Sequence, residues 1–125
     1  MVFLLERLGR PNLENRLALW ASCDVWLSTR IRCGLSLDPF EFTLARTKPA
    51  GVVVVSEFDA ASRVLGGSLR VNPFRSEEVV AALDLALSMG KDEAAARHAV
   101  SERFVLTCTT SMWAKRVLLD LKRAQ

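Results

Sequence analysis

A glycine and a glutamate in one short segment have the types and spacing needed to bind a nucleotide diphosphate. Gly34 lies just before a predicted helix, and the free N–H groups and positive dipole end of a helix N-terminus bind phosphates. Glu41 lies two turns into that helix, where its carboxylate can accept hydrogen bonds from the two hydroxyls of a ribose. A turn glycine and a surface helix glutamate are also common without any ligand. The spacing alone therefore leaves both interpretations open, and the structural one is the more frequent.

Short apolar runs alternate with helical patterns along the chain, and they supply the elements that must position these residues. Strands are predicted at residues 2–5, 25–27, 52–55 and 68–71, and helices at 12–22, 36–47, 57–65, 76–88, 92–105 and from 109 or 110 onward. Asn12, Ser56 and Ser76 are the predicted N-caps of three of these helices. The alternation predicts an α/β fold, a Rossmann-like parallel sheet of about four strands with crossover helices and a helical C-terminus.

The four successive valines at 52–55 predict a strand buried on both faces. A doubly buried sheet usually needs further strands or a partner domain, and the first predicted strand begins at residue 2. Residues 1–125 are therefore expected to form a single, partial domain that belongs to something larger.

The composition excludes several classes of function. Charged residues make up 25% of the chain, aromatic residues 7%, and the net charge is +3 without a basic run, so neither disorder nor nucleic-acid binding is expected. Three cysteines without a paired spacing predict neither a disulfide framework nor a metal site and fit a cytoplasmic setting. No apolar stretch is long enough to predict a membrane segment.

Three motifs in collinear order resemble the trehalose-6-phosphate synthase family of retaining glycosyltransferases. They are Leu-Ser-Thr-Arg-Ile-Arg-Cys-Gly-Leu-Ser-Leu-Asp-Pro-Phe-Glu-Phe at 27–42, Pro-Ala-Gly-Val-Val-Val-Val-Ser-Glu-Phe at 49–58 and Leu-Arg-Val-Asn-Pro-Phe at 69–74. The corresponding family patterns read T-P-L-R-D-G-M-N-L-V-x-x-E-[YF], P-G-V-L-[VI]-L-S-E-F-A-G and A-L-x-V-N-P-[YF]. The resemblance extends from about residue 2 to residue 121.

The resemblance implies a GT-B architecture, in which this chain forms the C-terminal portion of the UDP-glucose-binding domain. The parent enzyme would transfer glucose from UDP-glucose to glucose 6-phosphate in trehalose biosynthesis. No cofactor is implied, since UDP-glucose is the donor substrate. The donor-binding positions carried over from the family are Gly34, Leu35, Ser36, Leu37 and Glu41, with Cys33, Ser56 and Glu57 as further candidates.

Departures from the family pattern argue against a working enzyme. Cys33 replaces an aspartate that contacts the donor sugar, Ser36 replaces an asparagine, and Asp38 places a negative charge near the diphosphate. Pro39 removes one N–H from the same turn. The family's diphosphate-binding Arg and Lys would lie upstream of residue 1, so no catalytic residue is named and the chain alone is expected to be inactive.

Other interpretations remain open from the sequence. A possible pseudoenzyme would keep the fold as a regulatory or interaction module, with a missing N-terminal GT-B domain or a trehalose-synthesis complex subunit as its partner. A receiver-like α/β module is disfavoured because no acidic cluster for Mg²⁺ follows the strands. Cys33 near a helix N-terminus could instead be a reactive thiol. His98 is expected to be a surface or half-buried helix residue.

Overall fold

The structure, a computed structural model, describes residues 12–124. Its elements in chain order are α1 (Leu13–Ser22), β1 (Val25–Ser28), α2 (Asp38–Ala45), β2 (Val52–Ser56), α3 (Ala61–Val64), β3 (Leu69–Val71), α4 (Ser76–Ser88), α5 (Lys91–Thr107) and α6 (Thr110–Arg123). This order confirms the predicted α/β class and the helical C-terminus. The predicted strand at residues 2–5 lies outside the described residues.

The sheet is parallel throughout, with β2 between β1 and β3. Val25 pairs with Val52 at the start of β1, and Val54 pairs with Leu69 at the start of β3. All three strands therefore end at the same edge of the sheet, and the loops that follow them meet there.

The central strand is buried on both faces, as the run of valines predicted. Val53 and Val55 pack against Trp20 and Phe42 on one face, and Val52 and Val54 pack in a second apolar cluster on the other face. Every residue of β2 is buried. Side chains alternate across a strand, so only a strand covered by helices on both sides can bury four valines in succession.

Helix α5 connects the two faces. Ala94 near its start belongs to one apolar cluster, and Phe104 near its end packs against the other. Its middle passes so close to the turn before β3 that a Cβ atom on Gly67 would overlap the backbone carbonyl of Arg97. A residue without a side chain is therefore required at position 67.

Two predicted helix starts differ from the structure by two or more residues, and the predicted cap of a third helix is wrong. The helix predicted at 36–47 begins at Asp38, because Ser36 is held in the preceding loop by contacts with other residues. The helix predicted from 57 begins at Ala61, because Asp59 rather than Ser56 accepts the N–H of Ala61.

The third difference concerns Ser76, which is the first residue of α4 and not its cap. The cap position is Arg75, which makes no capping side-chain bond. The turn before the helix is formed by Asn72, whose side chain accepts the N–H of Phe74 at 3.0 Å. By contrast, Asn12 caps α1 as predicted, accepting the N–H of Glu14 at 3.4 Å.

The last helix, α6, leaves its large apolar side chains exposed. None of its residues is buried, and Trp113 is 67% exposed. Its Thr109 cap accepts the N–H of Met112 at 3.4 Å. Over residues 12–124, no helix combines the length and the apolar character needed to cross a membrane.

Candidate functional site

The loops after β1 and β2 join at the carboxyl edge of the sheet. Cys33 and Asp59 pair in an isolated parallel bridge, and the Ala60 N–H donates to the carbonyl of Gly34 at 2.8 Å. The segment that contains the candidate donor-binding residues therefore lies at the edge where open parallel sheets bind their ligands.

A buried carboxylate stabilises this junction. Asp59 is completely buried, and its Oδ1 accepts the N–H of Ala61 at 2.9 Å and, more weakly, that of Ser36 at 3.4 Å. Its Oδ2 has no hydrogen-bond partner among the described residues. Asp59 thus connects the loop after β1 to the start of α3.

The backbone of the loop offers unpaired donors. Within residues 12–124, the N–H groups of Leu35 and Leu37 meet no protein acceptor, and both side chains are exposed. No atom of residues 12–124 lies within 4 Å of the place where a Cβ on Gly34 would stand, and the φ of Gly34 is not positive. The fold itself therefore does not require a glycine at position 34, and the space beside it is open.

An arginine that the sequence analysis did not consider lies across this loop. Arg30 donates from Nη1 to Ser36 Oγ and from Nη2 to Asp38 Oδ2, both at 2.7 Å, and its Nη1 lies 3.9 Å from Cys33 Sγ. Burial by itself lowers the pKa of Arg30, but the hydrogen bonds and charges of Asp38 and Cys33 outweigh it and raise the pKa above its ordinary value. The negative charge of Asp38, expected to repel a diphosphate, is offset by this guanidinium.

The candidate ribose ligand, Glu41, is engaged with the neighbouring helix. Its Oε2 accepts from Nη2 of Arg16 at 2.8 Å, and both side chains are about one third exposed. The Arg16 guanidinium also lies 5.1 Å from the centre of the Trp20 ring. Oε1 of Glu41 accepts no bond from the described residues, so one of the two oxygens that a ribose would use is free. Its role toward a ribose stays a prediction.

An open groove of about 620 Å³ runs beside the end of β1. Its charged and polar lining includes Arg16, Ser28, Arg30 and Asp38, and its apolar lining includes Trp20. Ser28 is 6% exposed, and its Oγ has no hydrogen-bond partner among the described residues. Buried hydroxyls nearly always have a partner, so this one marks a place where a ligand or water can bind.

Of the further candidates, Ser56 is completely buried at the end of β2. Its Oγ accepts the N–H of Phe58 at 3.2 Å, which is a bond within the turn. Glu57 is exposed.

Phe58 packs edge-on against Phe74 with 5.7 Å between ring centroids, so an exposed aromatic pair borders the same edge of the sheet.

The remaining chemistry-bearing residues do not join this site. His98 is 7% exposed, so its expected surface or half-buried placement is wrong, because the close contact at Gly67 presses this part of α5 onto the sheet. All three cysteines are free, and Cys23 and Cys108 lie outside the candidate loop, Cys108 at the far end of α5.

Sequence reasoning missed three residues of the site, Arg16, Arg30 and Asp59. Arg16 pairs with Glu41, 25 positions away, and Arg30 pairs with Asp38, 8 positions away. Each pair is separated by loop residues, so the periods of a helix or a strand cannot predict that its members meet. Asp59 carried one usable signal, an acidic residue that follows a fully buried strand by three positions.

The fold and the site together define a parallel α/β domain with a polar edge at the carboxyl ends of its strands. Residues 2–123 match the family model of glycosyltransferase family 20, and the chain belongs to that family. This confirms the resemblance inferred from the three motifs.

The relatives are trehalose-phosphate synthases. The chain is 39% identical over 111 residues to the UDP-forming alpha,alpha-trehalose-phosphate synthase B of Dictyostelium discoideum, covering 89% of this chain and 14% of that protein. Among solved structures it is similar to a trehalose-6-phosphate structure from E. coli bound with UDP-2-fluoro glucose, with a TM-score of 0.84, 32% identity, and 91% of this chain and 26% of the other covered.

A second solved relative is the UDP-forming alpha,alpha-trehalose-phosphate synthase of Burkholderia xenovorans in complex with glucose-6-phosphate. The TM-score is 0.83 at 30% identity, covering 90% of this chain and 25% of that one. The chain thus spans about a quarter of the solved relatives that it matches, and the match confirms its fold as that of the family's GT-B C-terminal domain.

Proposed function

We propose that this chain forms the UDP-glucose-binding portion of a trehalose-6-phosphate synthase-like glycosyltransferase. The whole enzyme would transfer glucose from UDP-glucose to glucose 6-phosphate with retention. The observation that carries the proposal is the loop 33–37, which lies at the carboxyl edge of the sheet and whose N–H groups on Leu35 and Leu37 find no acceptor among the described residues. Two such donors beside an open glycine can bind a diphosphate without a charged side chain.

The proposed roles follow the loop from the sugar to the nucleoside. Cys33 and Ser36 would lie near the glucose, Gly34, Leu35 and Leu37 near the diphosphate, and Glu41 near the ribose. The chain alone is expected to transfer no glucose, because a thiol at position 33 cannot replace a carboxylate's charge-assisted bonds to sugar hydroxyls. The donor would still bind through the loop backbone. The predicted cytoplasmic setting remains part of this proposal.

Calorimetric titration with UDP and UDP-glucose tests the donor site. Glu41→Gln and Arg16→Gln both break the same ion pair, so they should destabilise the chain by a similar small amount, under about 1 kcal/mol. Only Glu41→Gln removes the carboxylate from the ribose, and it should weaken UDP binding about tenfold. Glu77→Ala, at an exposed acid in the first turn of α4, is the control and should bind UDP like the wild type.

Absence of UDP binding by the folded wild-type chain would contradict the donor-site proposal. Equal losses of UDP affinity in Glu41→Gln and Arg16→Gln would contradict a direct contact between Glu41 and the ribose. The loss would then come from breaking the ion pair between Glu41 and Arg16.

The second candidate function is a regulatory or interaction module that has kept the fold without the donor site. The specific observation in its favour is α6, whose apolar side chains are exposed along its length, with Trp113, Leu118 and Leu121 each more than half exposed. Such a patch is typical of a surface that another domain covers. The occupant would be an N-terminal GT-B domain or a subunit of a trehalose-synthesis complex.

Sedimentation of the chain mixed with a separately expressed N-terminal domain of a solved relative tests this module. The module would be supported if the chain associates with the N-terminal domain, loses this association in Trp113→Ser and Leu118→Ser, and shows no binding of UDP. UDP binding without association would contradict it.

A further inference from the structure

We propose that Arg30 is an anion-binding residue of this chain, which exchanges its internal partner Asp38 for a phosphate group of a nucleoside diphosphate in the groove beside β1. The choice of ligand rests on the proposed function. The site itself rests on the groove, on the arrangement of Arg30 within it, and on the unpartnered hydroxyl of Ser28.

The geometry of Arg30 leaves donors free for a ligand. A guanidinium carries five N–H donors, and the described residues engage only Nη1 and Nη2, through Ser36, Cys33 and Asp38. Nε and one hydrogen of Nη2 therefore remain available. Because the Arg30 side chain is 49% exposed, an anion in the groove can reach it without unfolding of the loop.

The bond to Asp38 is suited to exchange. The carboxylate is 32% exposed, and ion pairs at such positions add little net stability because both groups are well solvated when apart. A phosphate group offers the guanidinium a bidentate partner with more negative charge than a carboxylate. Asp38 also stands at the start of α2, where an anion is favoured by the helix dipole, so it occupies a place that a phosphate would prefer.

The hydroxyl of Ser28 is an independent indication that the groove receives a polar ligand. It is buried at the end of β1, lines the same groove as Arg30 and has no partner among residues 12–124. Arg16 lies in the same lining, but its guanidinium is already paired with Glu41 at 2.8 Å. An anion in this groove would meet the free donors of Arg30 beside an unsatisfied hydroxyl, opposed in the described lining by the carboxylate of Asp38.

Titrations with UDP and with inorganic pyrophosphate at low ionic strength test the proposal in four variants. Arg30→Gln should weaken the binding of both about fivefold and reduce its dependence on salt. Asp38→Asn should strengthen the binding of both by a similar factor, since it removes the competing carboxylate. Arg30→Lys keeps the charge but loses the planar fork and should fall between Arg30→Gln and the wild type.

Arg32→Gln is the matched control. Arg32 is exposed in the same loop and pairs with no carboxylate in the described part of the chain, so the same loss of charge there should change affinity little. Circular dichroism of each variant confirms that it is folded.

Each outcome decides the proposal. Equal effects of Arg30→Gln and Arg32→Gln, or no gain in Asp38→Asn, would overturn it. Pyrophosphate binding that depends on Arg30, without UDP binding, would support the anion site and contradict the proposed function. UDP binding that depends on Glu41 but not on Arg30 would support the proposed function and overturn the anion site. If neither the wild type nor Asp38→Asn binds either probe, the anion site and the proposed function are both overturned.

Discussion

Cys33 and Asp59 pair through their backbones, and the carboxylate of Asp59 lies completely buried beneath the loop that begins at Cys33. In the family pattern that the motifs resemble, an aspartate stands at position 33 and an alanine at position 59. This chain has a cysteine in place of the acid at position 33 and carries an acid at position 59, which pairs with it. The acid at 59 accepts backbone N–H groups from the loop and from α3, so it acts within the protein.

Replacing Asp59 tests its role in joining the two loops. Asp59→Ala leaves the N–H groups of Ser36 and Ala61 without their acceptor and should lower the free energy of unfolding by about 1–3 kcal/mol. Asp59→Asn keeps an acceptor oxygen and should cost less. Urea denaturation measures both, and Asp84→Ala, at an exposed acid in α4, is the control. Equal losses in the alanine and asparagine variants would show that the hydrogen bonds are not what stabilises the junction.

Adding a methyl group at Gly34 separates folding from ligand binding. The position has open space and no positive φ, so Gly34→Ala should leave the melting temperature within a few degrees of the wild type. If a diphosphate approaches the backbone there, the methyl group should weaken UDP binding by about tenfold or more. Thermal melts and titration of the same sample check both expectations. Undiminished UDP affinity would place the diphosphate elsewhere.

The close approach of α5 to the turn before β3 predicts a large effect at Gly67. In Gly67→Ala the new Cβ would overlap the carbonyl of Arg97 and lie 2.8 Å from Ser101 Oγ, and a helix backbone cannot yield without loss of its contacts. We expect a loss of about 3 kcal/mol in the free energy of unfolding.

The control for that change is Gly90→Ala at the start of α5, where no atom in the described part of the chain lies within 4 Å of the new Cβ. It should cost under about 1 kcal/mol, as a change at a helix cap. Urea denaturation compares the two, and similar losses would argue against the close contact of α5.

The packing of α2 on the sheet depends on Phe42. Its side chain is completely buried and lies against Gly51, where a Cβ would come within 2.5 Å of the ring. Phe42→Ala should destabilise the chain by about 3–5 kcal/mol, because it leaves a cavity in the core. Phe74→Ala is the matched control, since Phe74 is 71% exposed. A small effect at Phe42, measured by chemical denaturation, would mean that α2 is not anchored through this ring.

Patterns between near neighbours in the sequence determined the architecture. Four successive valines predicted a strand buried on both faces, and β2 has this property because alternate side chains point to opposite sides of a strand. The glycine before a polar helix start, and the strand endings before it, predicted where the candidate loop would lie. The three motifs were sufficient to indicate the family. They include the three strands and the loops after them, and the parallel fold fixes the order of these segments along the chain.

Only the tertiary structure decided which charges meet. Arg30 joins Asp38, Arg16 joins Glu41 and Asp59 joins the backbone of Ser36, and these partners are 8, 25 and 23 residues apart. The periods of helices and strands do not predict these pairings, because the pairings depend on how a loop crosses the edge of a sheet and on how two helices pack. The sequence therefore indicated the loop and the carboxylates of Asp38 and Glu41. The presence of Arg16, Arg30 and Asp59 beside them, and with it the local charge that a ligand would meet, followed from the packing of distant segments.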